Sequence, residues 1–370
     1  MKAGGGSTLR EMPVEVQLRD CIGRSAMRPF LHPGLVNGRT GDPALYIETL
    51  FEKETILFDL GDIANLPPRK IHRLEHVFVS HTHIDHFIGF DRLLRVLAGR
   101  QKKLNLYGPP DFIEQIQHKL RAYRWNLVDR YVNDLAFWVT EVASPLETRR
   151  AVFRLKNAFA IESQPGGQIA GKVICCEPRF KVSTAILDHG TPCLAFAAEE
   201  SAHVNVWKPK LLKLGLQVGP WLRELKRAIV EKMPDDYPIR AAPLSASRQR
   251  TEMPLGALRG AVTVTPGQKI AYVTDAADTT ANRAAIIELV QNADVLFIEA
   301  TFLQADAPLA AERAHLTAEA AGRIAREACV RRIEPFHFSP RYAEEEPRLM
   351  NEALAAFAGA PFKGTAAGCG

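Results

Sequence analysis

The sequence predicts an α/β protein in which helices cover the faces of β-sheets, and three observations lead to this prediction. Apolar strands alternate with amphipathic helices through the second half of the chain. Polar residues of the types that bind metals recur where predicted strands end. A length of 370 residues with 46% apolar side chains suffices for a large hydrophobic core.

The first predicted strands lie at residues 44–50 and 55–60, whereas residues 14–36 show no regular pattern. Asp59 lies near the end of the second strand, two residues before Gly61. Asp59 either accepts a hydrogen bond from a metal-binding imidazole or forms the turn before Gly61. The sequence favours neither alternative.

The densest group of chemically competent residues follows a predicted buried strand at residues 76–80. His81, His83, Asp85 and His86 stand within six residues, just before an amphipathic helix. Imidazole and carboxylate groups are the ligands of zinc and of similar divalent ions. We expect His81 and His83 to reach one ion, and Asp85 and His86 to reach a second.

The rest of the chain predicts further strands and helices up to its C-terminal part. The predicted strands lie at residues 103–107, 135–142, 151–155, 172–176, 180–187, 193–198, 268–274, 294–298 and 332–336. The predicted helices lie at residues 87–98, 109–123, 208–214, 219–232, 279–290, 316–328 and 345–357.

More candidate ligands stand at the ends of these later strands, where a sheet holds side chains rigidly and loops admit a substrate. They are His189, Asp275, Glu299 and His337. We expect His81, His83 and His189 to hold the first ion, Asp85, His86 and His337 to hold the second, and Asp275 to bridge both through its two oxygens. Two such ions about 3.5 to 4 Å apart can share an activated water, which predicts hydrolysis.

Glu299 and His315 are not needed as ligands and are candidates for proton transfer. A carboxylate that orients an imidazole can donate a proton to a leaving alkoxide. Alternatively, His315 is only the residue at which a helix begins. Asp85 is counted as a catalytic residue as well as a ligand.

Residues 200–260 differ in composition from the rest of the chain. From Trp207 to Arg250 there are ten Lys and Arg residues against four acidic residues, with Trp207 and Trp221 interleaved. This composition suits a loose basic arm that binds a phosphate backbone, and a basic lid or surface insertion is an equal alternative. The candidate substrate-binding residues are Lys210, Lys213, Arg223, Lys226 and Arg227.

Composition places the chain among globular proteins. The 47 Lys and Arg exceed the 42 Asp and Glu by five charges, which alone does not indicate nucleic acid binding. No run approaches the roughly 18 apolar residues of a membrane span, and residues 1–15 lack the apolar stretch of a signal peptide. We therefore expect a cytoplasmic protein without membrane contact, a single domain at residues 16–358, and flexible tails at residues 1–15 and 359–370.

The six cysteines are scattered and form no C-x-x-C pair. In a chain of this length, such a distribution predicts reduced and mostly buried thiols instead of a disulfide framework.

His-x-His-x-Asp-His at a strand end resembles the metallo-β-lactamase superfamily, and other segments resemble its ribonuclease Z branch. These segments are Tyr107-Gly108-Pro109, residues 214–226 (LGLQVGPWLRELK), Glu299-Ala300-Thr301, His315-Leu316-Thr317 and residues 337–342 (HFSPRY). Several positions depart from the family pattern. Ile84, Ile298, Ala314 and Leu316 stand where the family usually has Gly, His, Gly and Ser, Asp275 is not in a Gly-Asp-Thr turn, and the N-terminal Leu-Gly-Thr-Gly is missing.

The resemblance implies an αββα sandwich, which is two mixed sheets flanked by helices. It implies two zinc ions, with manganese or iron as alternatives, at the seven ligand positions given above, and proton transfer by Glu299 and His315. It implies a homodimer whose inserted arm clamps tRNA and which removes the 3′ trailer of precursor tRNA. The alternative activity is metal-dependent hydrolysis of a small phosphodiester, sulfate ester or lactone. A binding protein without activity is disfavoured, because no ligand position is missing.

Overall fold

The computed structural model describes residues 30–50, 55–143, 147–244 and 251–360. The predicted tail at residues 1–15 lies outside the described residues. The predicted tail at residues 359–370 also lies outside them, apart from its first two positions.

The first sheet is mixed and has eight strands in chain order. The strands are β1 (Leu31–Leu35), β2 (Leu45–Thr49), β3 (Thr55–Phe58), β4 (Leu74–Phe78), β5 (Lys102–Gly108), β6 (Leu135–Val142), β7 (Glu147–Arg154) and β8 (Ile161–Gln168). Strands β3 to β6 run parallel to one another, and the strands on either side of them pair antiparallel.

The second sheet is also mixed and has six strands in the order β18-β17-β16-β11-β10-β9, with labels that follow the chain. Its strands are β9 (Val173–Cys176), β10 (Phe180–Asp188), β11 (Pro192–Glu200), β16 (Lys269–Val273), β17 (Val295–Glu299) and β18 (Ile333–Phe336). Because β16, β17 and β18 are parallel, their carboxyl ends lie at one edge.

Helices cover the outer faces of both sheets. Those beside the first sheet are α1 (Pro68–Ile71), α2 (Ile84–Phe87), α3 (Phe90–Leu97) and α4 (Phe112–Arg121). Those beside the second sheet are α8 (Thr280–Val290), α9 (Ala307–Glu312), α10 (Ala318–Glu327) and α11 (Glu346–Ala358). Three buried apolar layers result, one under each helical layer and one between the sheets. The predicted αββα sandwich is therefore confirmed.

The basic insertion folds on a core of its own. It contains β12 (His203–Val206), α5 (Lys208–Lys213), α6 (Leu222–Val230), β13 (Pro238–Ala241), β14 (Thr251–Pro254), α7 (Leu255–Arg259) and β15 (Val262–Thr265). Leu211, Leu225 and Leu258 are completely buried in this core. The expectation of a loose arm is therefore wrong for the described part of the insertion. Its four-residue strands are too short to show a regular apolar pattern, and the packing of α5 to α7 orders them.

Several other elements were not predicted, among them β1, β8, α1 and α9. Strand β8 is largely exposed and contains Pro165, Gly166 and Gly167, so it has neither the apolar alternation nor the composition of a strand. Such a strand forms because β7 offers it a ladder partner, which is a tertiary effect.

The predicted helix at residues 87–98 is interrupted, and Gly89 explains the break. The Gly89 N–H donates to the Leu60 carbonyl at 2.8 Å instead of continuing a single helix. A Cβ atom at Gly89 would lie 2.2 Å from the Gly61 carbonyl oxygen. This close contact fixes the segment that carries His86 against the end of β3. The backbone carbonyl of His86 also accepts a hydrogen bond from Leu60 N–H at 2.9 Å.

Four cysteines lie among the described residues, and none of them forms a disulfide. Cys175 and Cys193 are buried, whereas Cys176 and Cys329 are exposed. The expectation of free thiols agrees with these four positions, but burial applies to only two of them.

We predict that Gly89→Ala lowers the free energy of unfolding by roughly 3 kcal/mol, because a rigid backbone atom occupies the space of the new methyl group. Urea unfolding followed by tryptophan fluorescence measures the change. The matched control is Gly34→Ala in β1, where no atom lies within 4 Å of the new Cβ. Equal destabilisation by the two substitutions would show that the Gly89 contact is unimportant.

Candidate metal centre

The site is formed where the ends of several strands meet. Strand β4 leads through Ser80 into His81, and β10 ends one residue before His189. In the second sheet, Asp275, Glu299 and His337 stand at or just after the carboxyl ends of three adjacent strands. All positions that the sequence predicted as ligands therefore come to one edge of the sandwich.

The first group of potential ligands contains His81, His83, His189 and Asp275, whose ligand atoms lie within 4.8 Å of one another. Nε2 of His81 is 3.6 Å and Nε2 of His189 is 3.4 Å from Oδ2 of Asp275. Two atoms bound at 2.0 to 2.2 Å to one tetrahedral zinc ion lie about 3.4 Å apart. The observed spacing therefore leaves room for one such ion.

The second group contains Asp85, His86 and His337, also within 4.8 Å of one another. Nε2 of His86 and Nε2 of His337 each lie 3.4 Å from Oδ2 of Asp85. The same His86 nitrogen lies 3.3 Å from Oδ2 of Asp275. This spacing, too, suits one shared ion.

The position of Asp275 differs in one respect from the expectation. A single oxygen, Oδ2, lies near imidazole nitrogens of both groups. The other oxygen accepts a hydrogen bond from Thr274 Oγ1 at 2.8 Å and lies 3.1 Å from Nδ1 of His337. The geometry therefore places one oxygen, instead of two, between the groups.

Two buried nitrogens test whether these residues suit a metal. Nε2 of His81 and Nε2 of His86 have no hydrogen-bond partner among the described residues. An unsatisfied buried polar atom costs about 1 to 3 kcal/mol, so native proteins rarely retain one without a function. His81 belongs to the first group and His86 to the second, so one divalent cation in each group would coordinate one of these nitrogens, and the donor set fits such ions.

The opposite nitrogen is held by the protein in four candidate ligand imidazoles, of which three are buried and that of His337 is partly buried. The Nδ1 contacts join His81 to Ser80 Oγ (3.1 Å), His86 to Asp59 Oδ2 (2.9 Å), His189 to the Ala314 carbonyl (2.8 Å) and His337 to Thr301 Oγ1 (3.3 Å). Such contacts place the proton on Nδ1 and direct the lone pair of Nε2 inwards.

Asp59 is completely buried and collects hydrogen bonds from both sheets. It accepts from Ser80 N–H at 2.6 Å, from Ser80 Oγ at 2.9 Å and from Tyr272 OH at 2.8 Å, besides its contact with His86. Of the two alternatives for Asp59, the contact with a candidate ligand is therefore present in the structure. Because Tyr272 lies in β16, its hydrogen bond connects Asp59 to the second sheet.

The electrostatics of the site favour positive charge at its centre. Burial lowers the pKa of His81 to about 2, which keeps this imidazole in its neutral, metal-binding form. Burial also opposes a proton on His86, but Asp275 and Asp59 outweigh it and hold the pKa of His86 well above its ordinary value. Against burial, His337 and His86 hold the pKa of Asp275 well below its ordinary value. The carboxylates thus attract a cation to the shared position, whether a proton or a metal ion.

Glu299 and His315 form a separate pair beside the two groups. Nδ1 of His315 lies 2.9 Å from Oε2 of Glu299. The oxygens of Glu299 also accept from Ala276 N–H and Thr301 Oγ1, each at 2.6 Å, so they are occupied by donors. Burial lowers the pKa of His315, but Glu299 outweighs it and raises this pKa to about 9. The pair is therefore suited to proton transfer more than to metal binding.

The backbone around the site adopts left-handed conformations that side chains disfavour. The φ angles are +60° at Asp59, +27° at Asp275, +55° at Ala314 and +59° at His337. Non-glycine residues with such angles cost free energy and cluster at functional sites, where the surrounding structure imposes them. The packing of the sandwich therefore determines the direction of these side chains.

A cavity of about 290 Å³ opens beside the site. Its lining includes Asp85, His315 and His337, together with Arg313 and with Thr40 and Asp42 from the loop between β1 and β2. The loop is joined to the site because the Arg39 carbonyl accepts from Phe338 N–H at 2.9 Å. The cavity gives a substrate access to Asp85 and His337 of the second group and to His315 of the proton-transfer pair.

The predicted substrate-binding residues lie on the insertion and are all exposed, and none of them lines this cavity. Lys210 Nζ lies 5.3 Å from the centre of the Trp207 ring. Arg227 contacts Glu231 at 3.3 Å and Tyr237 OH at 3.2 Å, which occupies part of its guanidinium.

Sequence reasoning missed several residues that hold the site. Ser80 could have been found from its position directly before His81, and Thr301 from its position two residues after Glu299. The sequence has no such signal for Tyr272 or for the Ala314 carbonyl. Nothing in it distinguishes Tyr272 from another tyrosine inside a strand, or the Ala314 carbonyl from other backbone carbonyls. Arg313 was not singled out either.

His76, Cys175 and Glu177 form another grouping, which contains none of the candidate ligands. Cys175 Sγ lies 3.6 Å from Nδ1 of His76, whereas Glu177 Oε1 lies 3.4 Å from Nε2. The two contacts use different nitrogens of the ring. Both ring nitrogens of the buried His76 therefore have a protein partner.

Comparison with known proteins finds a family model, sequence relatives and solved structures that resemble this chain. The Beta-lactamase superfamily domain matches residues 224–338. A ribonuclease Z of Deinococcus radiodurans is 31% identical over 339 residues, which cover 90% of this chain and 98% of that protein. A ribonuclease Z of Trichodesmium erythraeum is 31% identical over 290 residues, or 77% of this chain and 73% of that protein. The crystal structure of human tRNase Z, short form, has a TM-score of 0.47 and 16% identity, and covers 85% of this chain and 92% of that chain.

We predict that Asp275→Ala loses bound metal, because one oxygen of Asp275 lies beside nitrogens of both ligand groups. Metal analysis after dialysis should give clearly less metal per chain than in the unchanged protein. The control is Asp278→Ala, which removes a carboxylate three residues away that pairs with Arg283. Retention of the full metal content by the Asp275 variant would contradict the assignment.

Proposed function

Because the chain belongs to the ribonuclease Z family, we propose that its strand-end site binds two divalent metal ions and cleaves a phosphodiester bond at the 3′ end of precursor tRNA. The observation that carries this proposal is the convergence of seven candidate ligands at one edge of the sandwich. The chain is thus a metal-dependent hydrolase of the endoribonuclease type.

The proposed ions are zinc, with manganese or iron as alternatives. His81, His83 and His189 would hold one, and Asp85, His86 and His337 the other, with Oδ2 of Asp275 shared. When bound, such ions favour ionisation of a water molecule and stabilise negative charge on phosphoryl oxygens. Imidazole nitrogens with carboxylate oxygens are a donor set that suits these metals.

The side chains of the cavity would handle the protons of the reaction. Water attacks phosphorus as the bond from phosphorus to the leaving ribose oxygen breaks. Nδ1 of His315 faces Glu299, so Nε2 is the nitrogen that can donate a proton to the leaving oxygen. We propose that Asp85, which lines the same cavity, accepts the proton that the attacking water loses.

We propose that the insertion binds tRNA outside the cavity. Its exposed lysines and arginines carry positive charge on a subdomain with its own core, and such a surface attracts the phosphates of RNA. The five residues proposed for this role are Lys210, Lys213, Arg223, Lys226 and Arg227. The rival activity, hydrolysis of a small phosphodiester, sulfate ester or lactone, would not need this surface.

Two further properties are proposed from the resemblance to the family, namely a homodimer and a cytoplasmic location. Among the described residues, no helix is long and apolar enough to cross a membrane. Light scattering coupled to size-exclusion chromatography tests the first property.

We predict that His315→Ala lowers the rate of precursor tRNA cleavage by about 10² to 10⁴-fold, the usual contribution of general acid catalysis. Its metal content should stay unchanged, because His315 pairs with Glu299 and is not one of the proposed ligands. The control is His118→Ala, an exposed histidine on α4. A variant of His315 that releases metal would show that His315 is a ligand.

We predict that excision of residues 203–265 abolishes cleavage of precursor tRNA and spares hydrolysis of bis-p-nitrophenyl phosphate. The ends of the excised segment are close, since the N–H of Glu200 donates to the carbonyl of Gln268 at 2.8 Å. A short turn can therefore replace the whole subdomain without leaving part of its core exposed.

Metal content serves as the control for correct folding of the shortened protein. Equal cleavage of precursor tRNA with and without the insertion would remove the proposed role of the insertion. Failure of the full-length protein to cut precursor tRNA, combined with turnover of the small diester, would favour the rival activity.

A further inference from the structure

We infer that Arg313 binds the phosphate of a nucleotide next to the scissile bond and so positions the RNA strand in the cavity. This inference rests on the proposed function. It assigns a substrate-positioning role to a residue that is neither a candidate ligand nor a member of the proton-transfer pair.

The first argument is the position of Arg313. Its side chain lines the cavity of about 290 Å³ that also contains Asp85, His315 and His337. The volume of this cavity is close to the lower end of the range of small-ligand sites, which is roughly 300 to 1,000 Å³. A side chain in its wall is therefore close to the part of the substrate that adjoins the cleavage point.

The second argument is charge. Arg313 is the one lysine or arginine among the described residues that line this cavity, which also presents the carboxylates of Asp42 and Asp85. An RNA strand entering here meets negative charge, and a single guanidinium offsets part of this repulsion. Arg313 is exposed, and no ion pair to a carboxylate occupies it among the described residues.

The third argument is the rigidity of the backbone that carries Arg313. At the end of α9, Arg313 N–H donates to the Leu309 carbonyl at 3.0 Å, and His315 N–H donates to the Ala310 carbonyl at 2.9 Å. The residue between them, Ala314, has a left-handed backbone conformation, and its carbonyl accepts a hydrogen bond from His189 Nδ1 at 2.8 Å. Arg313 and His315, two residues apart, therefore start from a turn that is attached to a candidate metal ligand, with Cα atoms no more than about 7 Å apart.

The chemistry of arginine fits a phosphodiester. A guanidinium donates two parallel hydrogen bonds to the two non-bridging oxygens, whereas a lysine ammonium acts as a point charge. The neighbouring phosphate, and not the scissile one, is the partner because the scissile group belongs beside Asp85, His86 and the shared Asp275 oxygen. Arg313 should therefore affect the binding of a polynucleotide and leave the chemical step unchanged.

The test compares Arg313→Ala and Arg313→Lys with the unchanged protein on two substrates. Precursor tRNA has phosphates beside the scissile bond, and bis-p-nitrophenyl phosphate has none. The matched control is Arg326→Ala, which removes the same charge from an exposed position on α10 that lines a different cavity. Thermal unfolding and metal content are measured for every variant.

We expect Arg313→Ala to lower kcat/KM for precursor tRNA about tenfold or more, mainly through KM, as for one hydrogen-bonded phosphate contact. The plot of log kcat/KM against log salt should become shallower by about 0.7 to 0.9, the effect of one phosphate contact. The kcat/KM of Arg313→Lys for precursor tRNA should lie between that of Arg313→Ala and that of the unchanged protein. Turnover of the small diester should stay within about twofold, and the Arg326 variant should match the unchanged protein.

Two results would overturn the inference. In the first, Arg313→Ala cleaves precursor tRNA as well as the Arg326 variant does. In the second, it loses turnover of both substrates in equal proportion, which would place Arg313 at the reacting phosphate. Either result is distinct from failure of the proposed function itself, in which the unchanged protein does not cut precursor tRNA.

Discussion

The shared carboxylate oxygen of Asp275 is the constraint on which the rest of the site depends. Three imidazole nitrogens, those of His81, His86 and His189, surround this single oxygen at 3.3 to 3.6 Å. Two of these nitrogens are buried without a hydrogen-bond partner among the described residues. Positive charge at its centre stabilises a buried arrangement of this kind, so folding and cation binding are expected to be energetically coupled. Metal binding is therefore expected to add to the stability of the sandwich.

The two sheets hold this arrangement through contacts behind the ligands. Asp59 at the end of β3 receives hydrogen bonds from Ser80 in the first sheet and Tyr272 in the second, and it also contacts His86. The left-handed backbone at Asp59, Asp275 and His337 has a free-energy cost that the surrounding packing offsets. Rigid strands thus fix the ligands, whereas the loops on the same edge supply the walls of the cavity and the basic insertion lies apart.

The sequence contained most of the fold class and the types of the site residues, and what it lacked was long-range information. His81 to His86 could be recognised because they follow one another behind a buried strand, and His189 and Asp275 because each stands at a strand end. No local pattern indicates that Tyr272 reaches Asp59, a residue 213 positions away, or that the Ala314 carbonyl meets His189. Strand β8 and the strands of the insertion were not predicted for a related reason. Short or exposed strands form because they pair with neighbouring strands, and they lack a regular apolar pattern of their own.

The most direct test of the metal centre is anomalous X-ray scattering from crystals of the zinc-loaded protein. Two peaks about 3.5 to 4 Å apart are expected. One should lie about 2.0 to 2.2 Å from nitrogens of His81, His83 and His189, and the other at a similar distance from His86 and His337. A single peak, or two peaks that leave the Asp275 carboxylate out of contact, would contradict the account of a site organised around that carboxylate.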